Sequence, residues 1–387
     1  MQKEQHSTYF AIDNTDVADL HALCARTTRL EAYPLAVDVV ENITIYDGKQ
    51  IQGIIGDEGQ EATLKAEWAY CLKEGPGVFI VKGAYPDLSV IERCSASFQE
   101  IVAEERASSQ GKGDHFGQNE RIWNSLQKVC LHDPELFIAY YGNPILGLAS
   151  EAWLGPNYRI TAQMNNVKPG NAAQSAHRDY HLGFQSPETI SQYPAHAQVM
   201  SQYLTLQGAI AHCDMPVEKG PTMLLPYSQH YAPGYLAFRQ AEFTAYFVEH
   251  KVQIPFAKGD MVFFNPALFH AGGSNSTATD RVANLVQISS AFGRTMETIN
   301  NLMMIKAVYP ILQRRKAENT ASERLIRDTI AAVADGYSFP TNLDSDPPIG
   351  GNAPETEQQM MWRALQEDWP LAALLESLNT YETRRQA

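Results

Sequence analysis

The feature that most constrains the fold is a series of short apolar or alternating segments between about residues 158 and 290. They include YRITAQMNNV, QVMSQYLTLQGAIAH, PTMLLP, VQIPFA, DMVFFNP and RVANLVQIS, and they are separated by turns such as KPGN, EKGP and AKGD. Short segments with turns at this spacing are typical of the strands of a sandwich or barrel, not of alternating β and α units. The sequence therefore predicts an all-β sandwich or barrel over this region.

Helical patterns flank this region on both sides. ATLKAEWAYCLKEGPG and PDLSVIERCSASFQEIVAEERASS predict helices around a buried strand at residues 78–81, and VVENITIYDGKQIQGII predicts a hairpin around Asp47-Gly48. After Gly293, SERLIRDTIAAVAD, with a cap signal at Ser322, and two later segments predict further helices. We expect an N-terminal extension over residues 1–60, a core domain with its leading helices over 61–294, and a helical C-terminal extension over 295–387.

Composition limits the partners that the chain can have. The net charge of −14 argues against nucleic acid, because phosphate contacts need clustered Lys and Arg, and it weakly disfavours an anionic membrane surface. The five cysteines are scattered without a C-x-x-C pair, which disfavours a disulfide framework or a zinc knuckle. No secretory signal and no run of membrane-spanning length is present. We expect a soluble, cytoplasmic protein with a small-molecule substrate, in which the C-terminal helices pack against the barrel or form a homodimer interface.

The triplet His-x-Asp occurs twice, as His177-Arg178-Asp179 and as His212-Cys213-Asp214. By itself the triplet is weak evidence for a metal site, because a chain with 11 histidines contains it often by chance. A surface His–Asp pair on a strand is the alternative. The surrounding sequence has to distinguish the two triplets.

A third element lies in DMVFFNPALFHAGGSNSTATDRVANLVQIS, where His270 ends an apolar strand and Arg281 follows 11 residues later. Two histidines and one carboxylate on a β-barrel can hold non-haem Fe(II) and leave three positions open. Those positions suit a 2-oxoacid bound through two oxygens, together with O₂. A co-substrate with a distal carboxylate also needs a buried cation, and arginine pairs with a carboxylate through two parallel hydrogen bonds.

Residues from about 78 to 290 resemble the phytanoyl-CoA dioxygenase family of Fe(II)/2-oxoglutarate-dependent oxygenases. The similar segments are GVFIVKGAYPDLSVIERC, NNVKPG, HRD, MPVEKGPTMLLPYSQH and HAGGSN with the later arginine. The chain departs from the family pattern where Lys219 replaces an Asn and Tyr227 replaces a Gly. Both departures affect a turn and a loop and leave the ligand positions intact.

The resemblance implies a role for individual residues. It implies that the iron ligands are His177, Asp179 and His270, with no catalytic side chain beyond them. It implies that Arg281 holds the far carboxylate of 2-oxoglutarate and that Asn166 reaches this co-substrate. Gln163 is a weaker candidate, because strand alternation places it on the face opposite to Asn166.

The second triplet has a different position in the family pattern. An acidic residue at the end of that strand is common in the family and structural, and Asp214 fits it. The resemblance therefore favours the first triplet.

Residues beside the first triplet are candidates for the substrate pocket. Tyr180 and Phe184, with Tyr193, are expected to line it or equally to be core residues, and His181 is a further candidate for which a structural role is favoured. His181 shares the strand face of the two ligands if the strand continues.

The resemblance also implies a fold and a reaction. The fold is mainly β with flanking helices (α+β), built on a double-stranded β-helix of the jelly-roll or cupin-like type. The implied enzyme uses Fe(II), 2-oxoglutarate and O₂ to oxidise, most simply to hydroxylate, an unactivated C–H bond of a small organic substrate, with succinate and CO₂ as co-products. The alternatives are a non-catalytic metal- and 2-oxoglutarate-binding sensor or decayed enzyme, and a zinc hydrolase with the same ligands.

Overall fold

The computed structural model describes residues 8–108, 119–348 and 351–386. They divide into two compact units. The first contains the described residues of 1–88, 113–121 and 164–287, and the second contains those of 89–112, 122–163 and 288–387. The domain boundaries expected at residues 60 and 294 stay predictions.

The strands belong mainly to the first unit. They are β1 (Asp38–Val40), β2 (Ile43–Asp47), β3 (Val78–Lys82), β4 (Glu120–Ile122), β5 (Arg159–Val167), β6 (Thr205–Ala211), β7 (Met223–Leu225), β8 (Met261–Phe264), β9 (Phe269–Ala271) and β10 (Arg281–Ser289). Within the described ranges, eight of them form a mixed sheet in the order β1-β2-β3-β8-β6-β10-β5-β4, and β7 pairs with β9 in a second sheet.

The second sheet is extended by isolated bridges. His177 pairs with His270 of β9, and Leu224 of β7 pairs with Val252. Buried side chains from both sheets, among them Ile80, Val262 and Leu224, belong to one apolar core. The two sheets therefore face each other across a shared interior, as predicted for a double-stranded β-helix.

The helices lie before, between and after the strands in sequence. Those of the first unit are α1 (Val17–Cys24), α2 (Gly48–Gln52), α3 (Glu58–Lys73), α8 (Pro187–Ile190), α9 (Ala195–Ser201), α10 (Gly234–Ala237) and α11 (Ala241–His250). The others are α4 (Leu88–Ala107), α5 (Ser125–His132), α6 (Pro134–Tyr141), α7 (Pro144–Leu154), α12 (Asn301–Ala317), α13 (Glu323–Val333), α14 (Glu357–Gln366) and α15 (Leu371–Arg385). Among the described residues, no helix is long and apolar enough to cross a membrane.

Local signals in the sequence account for several of these helices. The Asp57 side chain accepts hydrogen bonds from Gly59 N and Gln60 N and so caps the start of α3. The predicted cap at Ser322 is confirmed, since its hydroxyl accepts from Leu325 N at 3.2 Å. The helix predicted over PDLSVIERCSASFQEIVAEERASS is confirmed as α4, and its buried residues, which include Ile91, Cys94, Phe98 and Ile101, recur at helical spacing.

The hairpin predicted around Asp47-Gly48 is wrong. The turn lies instead at Glu41 and Asn42, whose φ angles of 50° and 67° match the left-handed pair that a two-residue hairpin loop needs. Asp47 caps α2 by accepting from Lys49 N. Only glycine fits at position 48, because a Cβ there would lie 2.4 Å from the carbonyl oxygen of Gly83.

Candidate metal centre

Two histidines are brought together by a short antiparallel contact beside β9. His177 N donates to His270 O at 2.9 Å, and His270 N donates to His177 O at 3.1 Å. Gln174 N donates to Gly272 O at 2.8 Å in the same pairing. The two imidazole rings consequently lie with their centroids 4.4 Å apart.

The orientation of each imidazole is set by its own backbone. His177 Nδ1 donates to Ser175 O, and His270 Nδ1 donates to Leu268 O, each at 2.9 Å, because a carbonyl oxygen can only accept. The proton is then on Nδ1, and Nε2 carries the lone pair. Metal-binding histidines are held in this way, with the nitrogen that does not bind the metal donating to a carbonyl or carboxylate.

Asp179 completes the cluster. Its Oδ1 lies 3.9 Å from His177 Nε2, and its Oδ2 lies 3.4 Å from His270 Nε2. Its backbone is held on both sides, since its N–H donates to Pro266 O at 3.0 Å and its carbonyl accepts from Tyr235 Oη at 3.2 Å. One ligand atom from each of the three residues lies within 4.8 Å of the others, which is close enough for a single metal ion.

The protonation states suit a metal site. Burial by itself would raise the pKa of Asp179, but the neighbouring His270, His177 and Gln207 side chains lower it to about 2. Burial and the neighbouring His270 lower the pKa of His177. At neutral pH the carboxyl group is therefore ionised and the imidazole neutral, which are the forms that bind metals.

Arg178, between the two ligands of the triplet, has a structural role. Its side chain is 2% exposed, and its Nη2 donates to Ser228 O at 2.6 Å and to Tyr231 O at 2.9 Å. The guanidinium also lies over the rings of Tyr235 and Phe269, at 5.3 and 4.9 Å from their centroids. It ties the segment that carries His177 and Asp179 to the loop after β7.

The competing triplet lies elsewhere. His212 is buried at the end of β6, and its backbone N–H donates to Val282 O at 3.0 Å. Asp214 accepts from the backbone N–H of Lys258 at 2.8 Å. Among the described residues, the group of three potential ligands found is His177, Asp179 and His270, and His212 and Asp214 take no part in it.

Arg281 lies at the start of β10, in a cavity inside the barrel. Its Nη1 donates to the carbonyl oxygens of Gly220 and Gly273, the second at 3.0 Å. Burial lowers its pKa to about 10, so the guanidinium stays charged at neutral pH. No carboxylate of the described residues forms an ion pair with it; its neighbour Asp280 binds Lys168 at 2.8 Å. A half-buried cation of this kind is suited to an anionic ligand.

The cavity beside Arg281 is lined by small side chains from β6 and β10 together with larger apolar ones such as Met215, Phe256 and Leu285. Its lining includes Asn165, Ala209, Ala211, Thr222, Arg281 and Ala283. Gln207 is on the same face of β6 as Ala209 and Ala211, by strand alternation, and its Nε2 donates to Asp179 Oδ2. The cavity is therefore on the same side of the sheet as the candidate metal ligands.

The strand β5 presents Asn165, not Asn166, to this cavity. Asn166 lies on the opposite face, where its Nδ2 donates to Glu120 at 2.8 Å and to Asp280 at 2.9 Å. Gln163 is buried and forms hydrogen bonds with Met296 and Glu297. The amide that the sequence placed in the pocket is thus one residue away from the one found there.

The segment after Asp179 does not continue as a strand. Tyr180 and His181 have φ angles of 61° and 39°, and residues His181–Phe184 form a 3-10 helix. The strand-face argument for His181 therefore does not hold, and its Nδ1 instead lies 3.3 Å from Ser201 Oγ. Tyr180 is buried, whereas Phe184 is 58% exposed, and their rings are 6.3 Å apart.

Gln207 and Asn165 were missed by sequence reasoning. A signal for Gln207 was present, because a lone amide alternates with Ala209 and Ala211 on a strand that is otherwise apolar. For β5, two adjacent asparagines leave the register undecided, so alternation alone could not identify the inward one.

Comparison with known proteins identifies the family to which this chain belongs. The model of the phytanoyl-CoA dioxygenase (PhyH) family matches residues 60–283, more than half of the chain. No curated protein matches.

Similar solved structures include the non-heme alpha ketoglutarate dependent epimerase SnoN from nogalamycin biosynthesis (18% identity, 61% of this chain and 84% of that chain, TM-score 0.40). They also include the non-heme alpha ketoglutarate dependent carbocyclase SnoK from nogalamycin biosynthesis (20% identity, 60% of this chain and 86% of that chain, TM-score 0.42). A third is AviO1 from Streptomyces viridochromogenes Tue57 (17% identity, 54% of this chain and 87% of that chain, TM-score 0.38).

The family match covers the paired histidines, the Asp179 carboxylate and the half-buried Arg281. The chain belongs to the phytanoyl-CoA dioxygenase family and is a 2-oxoglutarate-dependent non-haem iron enzyme, with Fe(II), 2-oxoglutarate and O₂ as its cofactors and co-substrates.

Proposed function

We propose that this enzyme oxidises an unactivated C–H bond of a small organic substrate, most simply by hydroxylation, and releases succinate and CO₂. The observation that carries the proposal is the pairing of the three-residue cluster with a half-buried arginine, on the same side of the large sheet, that has no carboxylate partner among the described residues.

In this proposal His177, Asp179 and His270 hold the iron. Their donor set fits the metal, since two Nε2 lone pairs and one ionised carboxylate converge while both Nδ1 atoms are engaged with carbonyls. Two histidines and a carboxylate leave open positions on Fe(II). The bound iron would supply the oxidising chemistry, and the chain would supply positioning and exclusion of water.

Arg281 would bind the far carboxylate of 2-oxoglutarate. Its Nη1 is held by two backbone carbonyls, so the rest of the guanidinium fork remains to pair with a ligand. Ala209, Ala211 and Ala283 leave space for the carbon chain, and Asn165 lines the same cavity with an amide that would donate to the co-substrate through Nδ2. Asn165 therefore replaces Asn166 as our candidate for a contact with the co-substrate.

The arginine also separates this function from a zinc hydrolase. Hydrolysis by a metal-activated water needs three ligands and an open position but has no use for a buried clamp for a dicarboxylate. Succinate release separates an active enzyme from a binding protein that has lost turnover. Tyr180, His181 and Phe184 stay candidates for the substrate pocket, and the homodimer through the C-terminal helices stays a prediction.

The test compares two co-substrates in wild type and in Arg281→Ala. The wild type should prefer 2-oxoglutarate to 2-oxopentanoate, which lacks the far carboxylate. Removing one partner of a buried charge pair typically costs about 3–5 kcal/mol, so the ratio of the two kcat/KM values should fall by roughly a hundredfold or more. Arg281→Lys keeps the charge without the planar fork and should recover only part of the preference.

The same experiment needs two further readouts. Anaerobic Fe(II) binding should be retained in Arg281→Ala, because the arginine is not a ligand. Mass spectrometry of a substrate screen should detect a gain of one oxygen. An unchanged preference for 2-oxoglutarate in Arg281→Ala would remove Arg281 from the co-substrate site.

A further inference from the structure

Gln207, which is not one of the predicted ligands, makes a hydrogen bond with the candidate metal centre. It lies on β6, is 7% exposed, and donates through Nε2 to Asp179 Oδ2. A carboxylate without its proton can only accept hydrogen bonds, so the NH₂ end of the amide must face Asp179. The orientation of the glutamine is therefore determined by the contact.

The other end of the amide is unsatisfied. Gln207 Oε1 is buried and has no hydrogen-bond partner among the described residues. Buried polar groups in native proteins are almost always paired, and leaving one unpaired is unfavourable. A residue present only for packing would be better as an apolar side chain, so the contact with Asp179 is the feature that favours glutamine at this position.

The backbone around Gln207 is held tightly. Gln207 pairs with Phe264 of β8, whose ring lies 4.8 Å from that of His270. The next residue is Gly208, where a Cβ would lie 2.7 Å from Val262 O. Strand β6 thus lies too close to β8 for a side chain at position 208. This close packing holds the backbone of Gln207 in place and so restricts the positions that its amide can occupy.

We propose that Gln207 is a positioning residue for the iron site, an inference that rests on the proposed function. By holding Oδ2, it leaves Oδ1 of Asp179 as the oxygen that faces the metal and keeps the carboxylate from binding through both oxygens. A carboxylate bound through both would occupy one more position on the metal. Holding one oxygen thus preserves the open positions that 2-oxoglutarate and O₂ require.

The test uses Co(II) as a spectroscopic substitute for Fe(II), with the full-length protein. Gln207→Met keeps the size of the side chain and removes the amide, and Gln207→Asn keeps an amide that is one methylene too short. Each should weaken Co(II) binding by roughly 10- to 100-fold, the usual effect of losing a partner of a metal ligand. Each should also change the visible spectrum of bound Co(II), which reports coordination geometry.

Gln229→Met is the matched control. Gln229 is also a buried glutamine, 2% exposed, but its amide donates to the carbonyl oxygen of Gly75. This variant should bind Co(II) with the affinity and the spectrum of the wild type, even if it unfolds at a lower temperature.

The outcomes separate the two levels of the proposal. A wild type that does not bind one Co(II) would overturn the proposed function together with this inference. A wild type that binds, with Gln207 variants of unchanged affinity and spectrum, would overturn the positioning role alone. The same holds if Gln229→Met weakens binding as much as Gln207→Met, since the loss would then follow stability.

Discussion

Gly234 is predicted not to tolerate even alanine, because Arg178 occupies the space of its missing side chain. A Cβ at Gly234 would lie 2.0 Å from Arg178 Cζ and 2.3 Å from both Nη atoms. The guanidinium cannot retreat easily, since it is buried and its Nη2 donates to Ser228 O and Tyr231 O. The substitution Gly234→Ala therefore forces either the arginine or helix α10 to move.

The expected cost follows from these contacts. Overpacking a well-packed interior costs about 1–3 kcal/mol. Each hydrogen bond from a charged donor that is lost contributes about 1.5–3 kcal/mol. Because burial lowers the pKa of Arg178 only to about 10, the group is still charged at neutral pH when it is displaced. We expect Gly234→Ala to lower the free energy of unfolding by about 3–5 kcal/mol, a large part of a typical total.

The assay is denaturant unfolding of the wild type, Gly234→Ala and the control Gly59→Ala. Gly59 also lies at the start of a helix, but a Cβ there would meet only Asp57 Oδ1, at 3.4 Å. Alanine is favoured over glycine within helices by about 0.5–1 kcal/mol, so the control should be as stable as the wild type or more stable. The two Gly→Ala changes should thus have opposite signs.

A double-mutant cycle identifies the arginine as the cause. Arg178→Met removes the guanidinium, so Gly234→Ala should cost less in that background than in the wild type. If Gly234→Ala unfolds within about 0.5 kcal/mol of the wild type, or if the two changes are additive, the steric explanation is wrong.

Two further predictions concern the cavity and the second triplet. Gly220 has a φ of 73°, and a Cβ there would lie 2.3 Å from Ser274 O. Gly220→Ala should therefore displace the Gly220 carbonyl, which accepts a hydrogen bond from Arg281, and raise KM for 2-oxoglutarate roughly tenfold. An unchanged KM would contradict this prediction. His212→Gln should leave Fe(II) binding intact but change how stability depends on pH. Burial lowers the pKa of His212 from 6.5 to about 3, so the unfolded chain takes up the proton first and the wild type loses stability as the pH falls below 6.5. Between pH 6.5 and 5 this loss is about 1.6 kcal/mol, and unfolding curves of His212→Gln should lack it.

The sequence predicted the elements of this fold well where the signal was local. The strands at YRITAQMNNV, PTMLLP, DMVFFNP and RVANLVQIS, the helix α4 and the cap at Ser322 all depend on residues close in the chain. The prediction of an all-β region was wrong where helices α8 to α11 interrupt it and where VQIPFA forms only isolated bridges. The hairpin was misplaced because Asp-Gly is a strong turn signal and Asp-Gly can also start a helix. What decides between these at Gly48 is the close approach of Gly83, a contact 35 residues away that no local pattern contains.

The candidate site shows the same difference between local and distant information. The family resemblance implied His177, Asp179 and His270 as ligands and Arg281 as the co-substrate contact, and the structure brings the first three together. The inward residue of β5 could not be identified, because Asn165 and Asn166 are chemically identical neighbours and a shift of one residue exchanges the faces of a strand.

The three candidate ligands are oriented by two different means. Each histidine donates its Nδ1 proton to the carbonyl of the residue two positions earlier, Ser175 or Leu268, so its orientation is set by its own extended segment. Asp179 has no such local partner for its carboxylate, and Gln207, 28 residues later, holds it. The histidines should therefore be oriented as soon as their segments form, whereas the carboxylate depends on β6 being packed in place. It follows that damage to β6 should disturb the geometry at Asp179 before it disturbs the paired histidines.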